Sequence, residues 1–105
     1  MAHLLTITGE YKEVRPKDRE TGFDLEELYE LLSCRTVEMV MLAKGQHTPY
    51  VAMLMDENGK LDGKETNIEA TRIRARTFDR TPEQLIYTGD HIVGDVLLVT
   101  NKEFQ

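Results

Sequence analysis

The run HIVGDVLLVTN, residues 91–101, constrains the fold more than any other stretch of this chain. It is the most apolar segment and alternates little between apolar and polar positions. Such a run reads as a central strand covered on both faces. Gly94 inside it marks a bulge or a close approach of the backbone to another group. At 105 residues the chain is expected to form a single domain, 1–105, with one modest core and a loose tail at 102–105.

Other segments read as partners for that strand. HLLTITG and EYKEVRP are extended, with Gly9 a bend between them and Pro16 ending the second. RTVEMVMLA (35–43) sets Val37, Met39 and Met41 on one face and Glu38, Val40 and Leu42 on the other. PYVAMLMD (49–56) is a further strand, and KGQHT between them suits a hairpin loop. Four methionines fall in these two strands. They make either a soft binding surface or core filling, and core filling is the simpler reading.

The clearest local signal is a helix over about 24–34. Asp24 can cap it, Glu27 can reach back to the cap, and Phe23 and Leu28 can pack as a staple. Leu25, Leu28, Leu31 and Leu32 then form an apolar stripe, with Glu26, Glu27 and Glu30 off it. A second helix, over 66–76, opens at Thr66 with Glu69 at the capping-box position, or at Asn67. Arg72-Ile73-Arg74-Ala75-Arg76 has period two, so its end could instead be extended. If helical, Arg72, Arg76 and Arg80 align at i, i+4 and i+8. Guanidinium forks suit phosphate or carboxylate, so the row is either an anion-binding strip or pairs internally, as Glu69 with Arg72. Thr81-Pro82-Glu83-Gln84 starts a third helix of about a turn.

GKLDGKET, residues 59–66, has the look of a phosphate loop but not its pattern. Gly59 and Gly63 are one residue too close for a Walker A motif, and Glu65 stands where a magnesium-binding hydroxyl belongs. A calcium loop fails too, because the twelfth position from Asp56 is Asn67. Asp56-Glu57-Asn58-Gly59 reads as a turn at positive φ, with Lys60-Leu61 starting a short returning strand.

Several chemistries lack their residues. Cys34 is the only cysteine and Ser33 the only serine. There is no nucleophile elbow, no cysteine-based metal set and no ligand-spaced histidine pair, so neither metal nor cofactor is expected. A net charge of −6 argues against wrapping duplex nucleic acid. No apolar run is long enough for a membrane span. The start MAHLLTITGEYKEV has no signal-peptide pattern, so a cytoplasmic location is expected.

GKLDGKETNIEAT followed by DHIVGDVLLV resembles a family of small domains of unknown function common in bacteriophages and plasmids. The matching positions are Gly59, Lys60 and Leu61, then Asn67, Ala70 and Thr71, then Asp90, Ile92, Val93 and Gly94. FDLEELYELLSCRTVEMVML is also similar, and the likeness covers about 14–100. Ser33-Cys34-Arg35 departs from it, since a glycine is expected in that turn. The resemblance implies a phage or mobile-element origin, with action in the host cytoplasm, and supplies no activity.

The expectation is therefore an α+β domain: a mostly antiparallel sheet of four to six strands packed by two main helices. The leading functional expectation is a non-enzymatic accessory protein binding an anionic small molecule, a nucleotide immune signal among the candidates, for counter-defence. Arg72, Arg74 and Arg76 would hold it, Asn67 and Thr71 would orient it, and the protein would be a homo-oligomer. The alternative is an inhibitor presenting Glu26, Glu27 and Glu30 to a host protein. A small enzyme acting on such a ligand is third.

Overall fold

Among the described residues, five short strands and three helices make up the fold. A computed structural model describes residues 2–42 and 49–100. The 44–48 loop and the 102–105 tail, both singled out above, lie outside the described residues. The strands are β1 (Ala2–Leu5), β2 (Tyr11–Val14), β3 (Val37–Met41), β4 (Ala52–Asp56) and β5 (Val96–Val99). The helices are α1 (Leu25–Leu32), α2 (Ile68–Thr77) and α3 (Pro82–Thr88). All strand pairs are antiparallel, in the order β2-β1-β5-β4-β3. This is the expected α+β architecture, with α3 running about two turns rather than one.

The apolar final run occupies the centre of the sheet, and every residue of β5 is buried. Its alternate side chains enter two separate cores. Val96 and Leu98 join Leu5, Met53 and Met55 beneath Ala70 and Ile73 of α2. Leu97 and Val99 join Ala2 and Ala52 beneath Leu28 and Leu32 of α1. Each face of the central strand therefore has its own helix, which is why no polar residue interrupts it. Burying one such side chain contributes about 1.5–3 kcal/mol.

The helix ends follow local chemistry. Asp24 accepts from the Glu27 N–H at 2.8 Å, and Glu27 accepts from the Asp24 N–H at 3.1 Å. Ser33 closes α1 at φ 50°, the left-handed region that glycine favours. Thr81 and Gln84 form the same reciprocal box on α3. For α2 the cap is Asn67, whose side chain accepts from the Ala70 N–H, and the segment stays helical through Thr77. Thr66 instead makes an isolated bridge to Val93.

Three other expectations change. Residues 57–63 are all turn, so Lys60-Leu61 starts no strand. Gly59 sits there for space rather than for positive φ, since a Cβ on it would lie 2.8 Å from Cγ2 of Val93. Of the four strand methionines, Met53 and Met55 are core, but Met39 and Met41 are exposed on the edge strand β3.

Candidate functional site

The second lysine of GKLDGKET is a structural clamp. Nζ of Lys64 lies 2.9 Å from the Asp56 carboxylate, which is buried at the end of β4. The same ammonium donates to the carbonyls of Leu32 and Ser33, at 2.9 and 3.0 Å. These carbonyls close α1, where a cation offsets the negative end of the helix dipole. The lysine stem passes close over Gly94, so a Cβ there would meet Cδ of Lys64 at 2.9 Å. Gly94 also has φ +73°. This is the close backbone approach that a glycine inside an apolar run signals.

Asn67 and Thr71 are corrected from ligand orienters to core residues. Both are fully buried. Nδ2 of Asn67 donates to the carbonyls of Leu5 and Gly94, at 3.1 and 2.9 Å, while Oδ1 accepts from Ala70. Oγ1 of Thr71 donates to the Asn67 carbonyl at 2.8 Å and accepts from the Ile92 N–H at 3.0 Å. The pair joins α2, β1 and the segment before β5 through satisfied internal bonds, leaving no atom facing outward.

The arginine row divides. Arg72 and Arg76 lie on one side of α2, where they and Glu69 act electrostatically on the half-exposed Tyr11. Burial is the first cause of the raised Tyr11 pKa, Glu69 adds to it, and the two arginines oppose it. Arg72 is paired with Glu69 at 2.8 Å. Arg74 points the other way, into a groove between β3, α2, α3 and the 90–93 segment. Arg80 lies beyond the end of α2 and joins that groove rather than the row.

This groove has a volume of about 560 Å³, within the range of roughly 300–1,000 Å³ common for small-molecule sites. Its apolar lining includes Val40, Met55, Leu85 and Ile92. Three cationic side chains, Lys60, Arg74 and Arg80, and four carboxylates, Glu38, Asp56, Glu57 and Asp90, stand around it, and Asp56 is the one already paired with Lys64. Arg74 is held in place: Nη1 donates to the Met41 carbonyl at 2.9 Å, and the guanidinium lies 4.5 Å from the Phe78 ring centroid. Burial lowers its pKa, while the carboxylates of Asp90 and Glu38 act the other way. Among the described residues, one of its five N–H donors is engaged in a hydrogen bond. Among the described residues no ion pair ties Arg80. Lys60 donates to the Gly89 carbonyl and anchors the 57–63 turn to the end of α3.

His91 also lines the groove, and its Nδ1 is buried with no hydrogen-bond partner among the described residues. The sequence carried no signal for His91 beyond a solitary histidine, and none for the meeting of Lys60 with Gly89. Both depend on where the 57–63 and 89–93 turns cross.

The acidic helix also changes. Glu26 and Glu30 are exposed, but Glu27 is buried and its second carboxylate oxygen accepts from the Lys17 N–H at 2.9 Å. A carboxylate occupied at both oxygens by backbone does not present itself to a partner. Cys34, half-buried, has its thiol pKa raised, chiefly by burial and then by Asp56. Among the described residues no cluster of three or more His, Cys, Asp or Glu side chains is arranged to hold a metal, and no helix is long and apolar enough to cross a membrane.

No protein-family model, curated protein or solved structure matches the chain.

Proposed function

We propose that this is a non-catalytic binding protein that takes a nucleotide-class small anion into the groove, with Arg74 and Arg80 on its phosphate. The observation that carries the reading is Arg74 itself. Its guanidinium is fixed by the Met41 carbonyl and the Phe78 ring at the edge of an apolar floor. Such a fixed fork loses little freedom when it grips a phosphate.

The mixed charge of the groove narrows the class. Glu38, Glu57 and Asp90 would repel a bare polyanion. A nucleotide offers these carboxylates its sugar hydroxyls and base amino groups, offers the guanidinium groups its phosphate, and sets its base on the apolar lining. In this reading the protein sequesters a signal as an accessory of a phage or mobile element. Support for that setting comes from the sequence resemblance; support for the ligand class comes from the groove.

A thermal-shift screen with nucleoside monophosphates, cyclic nucleotides and inorganic phosphate tests the proposal. A ligand at a hundred times its Kd stabilises by about 2.7 kcal/mol. Arg74→Ala and Arg80→Ala are each expected to weaken binding about ten- to hundred-fold, the range of a charge-assisted hydrogen bond. Arg72→Ala, on the other side of α2, is expected to leave binding unchanged. A flat screen, or equal losses from Arg72→Ala and Arg74→Ala, would refute the assignment.

A further inference from the structure

The two edges of the sheet differ in how they are finished. Edge strand β2 carries Lys12 and Glu13 and is followed by Arg15-Pro16, and all of its residues but Val14 are exposed. Charges and a proline are the usual protection of an edge against pairing. Edge strand β3, VEMVM, has one charge and two exposed methionines.

The hydrogen-bond pattern fixes what β3 offers. Leu42 donates to Val51 and Glu57 donates to Thr36, both toward the β4 side. In an antiparallel ladder these directions alternate, so Val37, Met39 and Met41 turn their N–H and C=O groups outward. The contact of Arg74 with the Met41 carbonyl agrees with that alternation, because it reaches an outward-facing group.

We infer that β3 pairs with β3 of a second copy of this chain, antiparallel and two-fold symmetric about Met39. In that register Val37 lies opposite Met41 of the second copy and Glu38 lies opposite its Val40. Apolar side chains meet on the α1 face of the sheet. On the groove face, Glu38 of the second copy comes to rest beside Val40, next to the Met41 carbonyl that holds Arg74. The symmetry makes this Glu38–Arg74 complementarity twice over, which a strand from an unrelated partner would have no reason to supply. An isologous contact of this kind is self-limiting and gives one continuous ten-stranded sheet from two five-stranded ones. It also runs the two grooves together across the axis, since Glu38 and Val40 line the groove. The inference is independent of what the groove binds.

The test uses the full chain without ligand. Sedimentation velocity across a concentration series is expected to show a species of twice the 12.1 kDa chain mass. Met39→Lys sets two ammonium groups opposite each other on the axis and is expected to yield monomer with an unchanged far-ultraviolet spectrum, since Met39 is half exposed. Leu61→Lys, on the 57–63 turn, is expected to leave the dimer intact. In amide exchange, the Met39 N–H is expected to gain protection as concentration rises. A monomer at every concentration, a dimer that survives Met39→Lys, or concentration-dependent protection on β2 instead of β3 would each overturn the inference.

Discussion

Replacing Gly94 by alanine tests the clamp at its tightest point. Two costs arise. At φ +73° a side chain sits in the left-handed region, which costs about 1–2 kcal/mol. The new Cβ would also lie 2.9 Å from Cδ of Lys64. That stem cannot swing aside freely, because its ammonium is held by Asp56 and by the carbonyls of Leu32 and Ser33. Overpacking of this kind costs about 1–3 kcal/mol. The sum, roughly 2–5 kcal/mol, is a large part of the stability of a domain this size. Lys64→Ala alone strands the buried Asp56 carboxylate with the Asn58 N–H, at a cost of about 3 kcal/mol, the low end for a broken buried pair because Lys64 is partly solvated.

The two changes should not add. With alanine at 64 the nearest atom of that side chain to the new Cβ is its own Cβ, at 3.8 Å, an ordinary contact. Gly94→Ala is then expected to cost only the backbone part, about 1–2 kcal/mol. Urea denaturation of the four proteins closes the cycle, and a coupling of about 1–3 kcal/mol is expected. If Gly94→Ala costs less than about 0.5 kcal/mol, or costs the same in both backgrounds, the lysine stem is not what excludes the side chain.

Asn67→Ala is expected to destabilise by about 2–4 kcal/mol, because it removes the amide donor from two buried carbonyls and the acceptor from the Ala70 N–H; urea denaturation reads this, and a stable variant would return Asn67 to the list of ligand contacts. Glu27→Ala is expected to cost about 1 kcal/mol or more through the lost cap, while Glu26→Ala and Glu30→Ala change the melting temperature little; equal effects would refute the buried role of Glu27. Cys34, Tyr11 and Tyr50 each have a raised pKa with burial as the first cause, so the folded state holds their protons longer than the unfolded chain does. Their stabilising contribution is complete below the ordinary thiol and phenol ranges and is lost as pH rises through them, so the melting temperature is expected to fall progressively in alkali; a flat profile there contradicts the burial of these groups.

The α1 capping box, the α3 box and the turn after Asp56 were legible because their donors and acceptors lie within three or four residues. The covered position of the last strand was legible because an uninterrupted apolar run is stable only between two layers. Nothing in the local pattern said whether Thr66 or Asn67 caps α2; the choice went to Asn67 because Leu5 and Gly94, far away in sequence, place two carbonyls against its amide.

The groove belongs to the same class of outcome. Arg72 and Arg74 look alike in the sequence, yet one faces Tyr11 and the other the Met41 carbonyl. Likewise Lys60 and Lys64 share a Gly-Lys setting, but one reaches α3 and the other the end of α1. By itself the sequence determined the capping boxes of α1 and α3 and the double cover of the central strand, since short-range hydrogen bonds and apolar periodicity decide those. Which long cationic side chain is a clamp and which faces the groove was decided by the tertiary structure, because it depends on carbonyls and carboxylates that only the sheet order brings within reach.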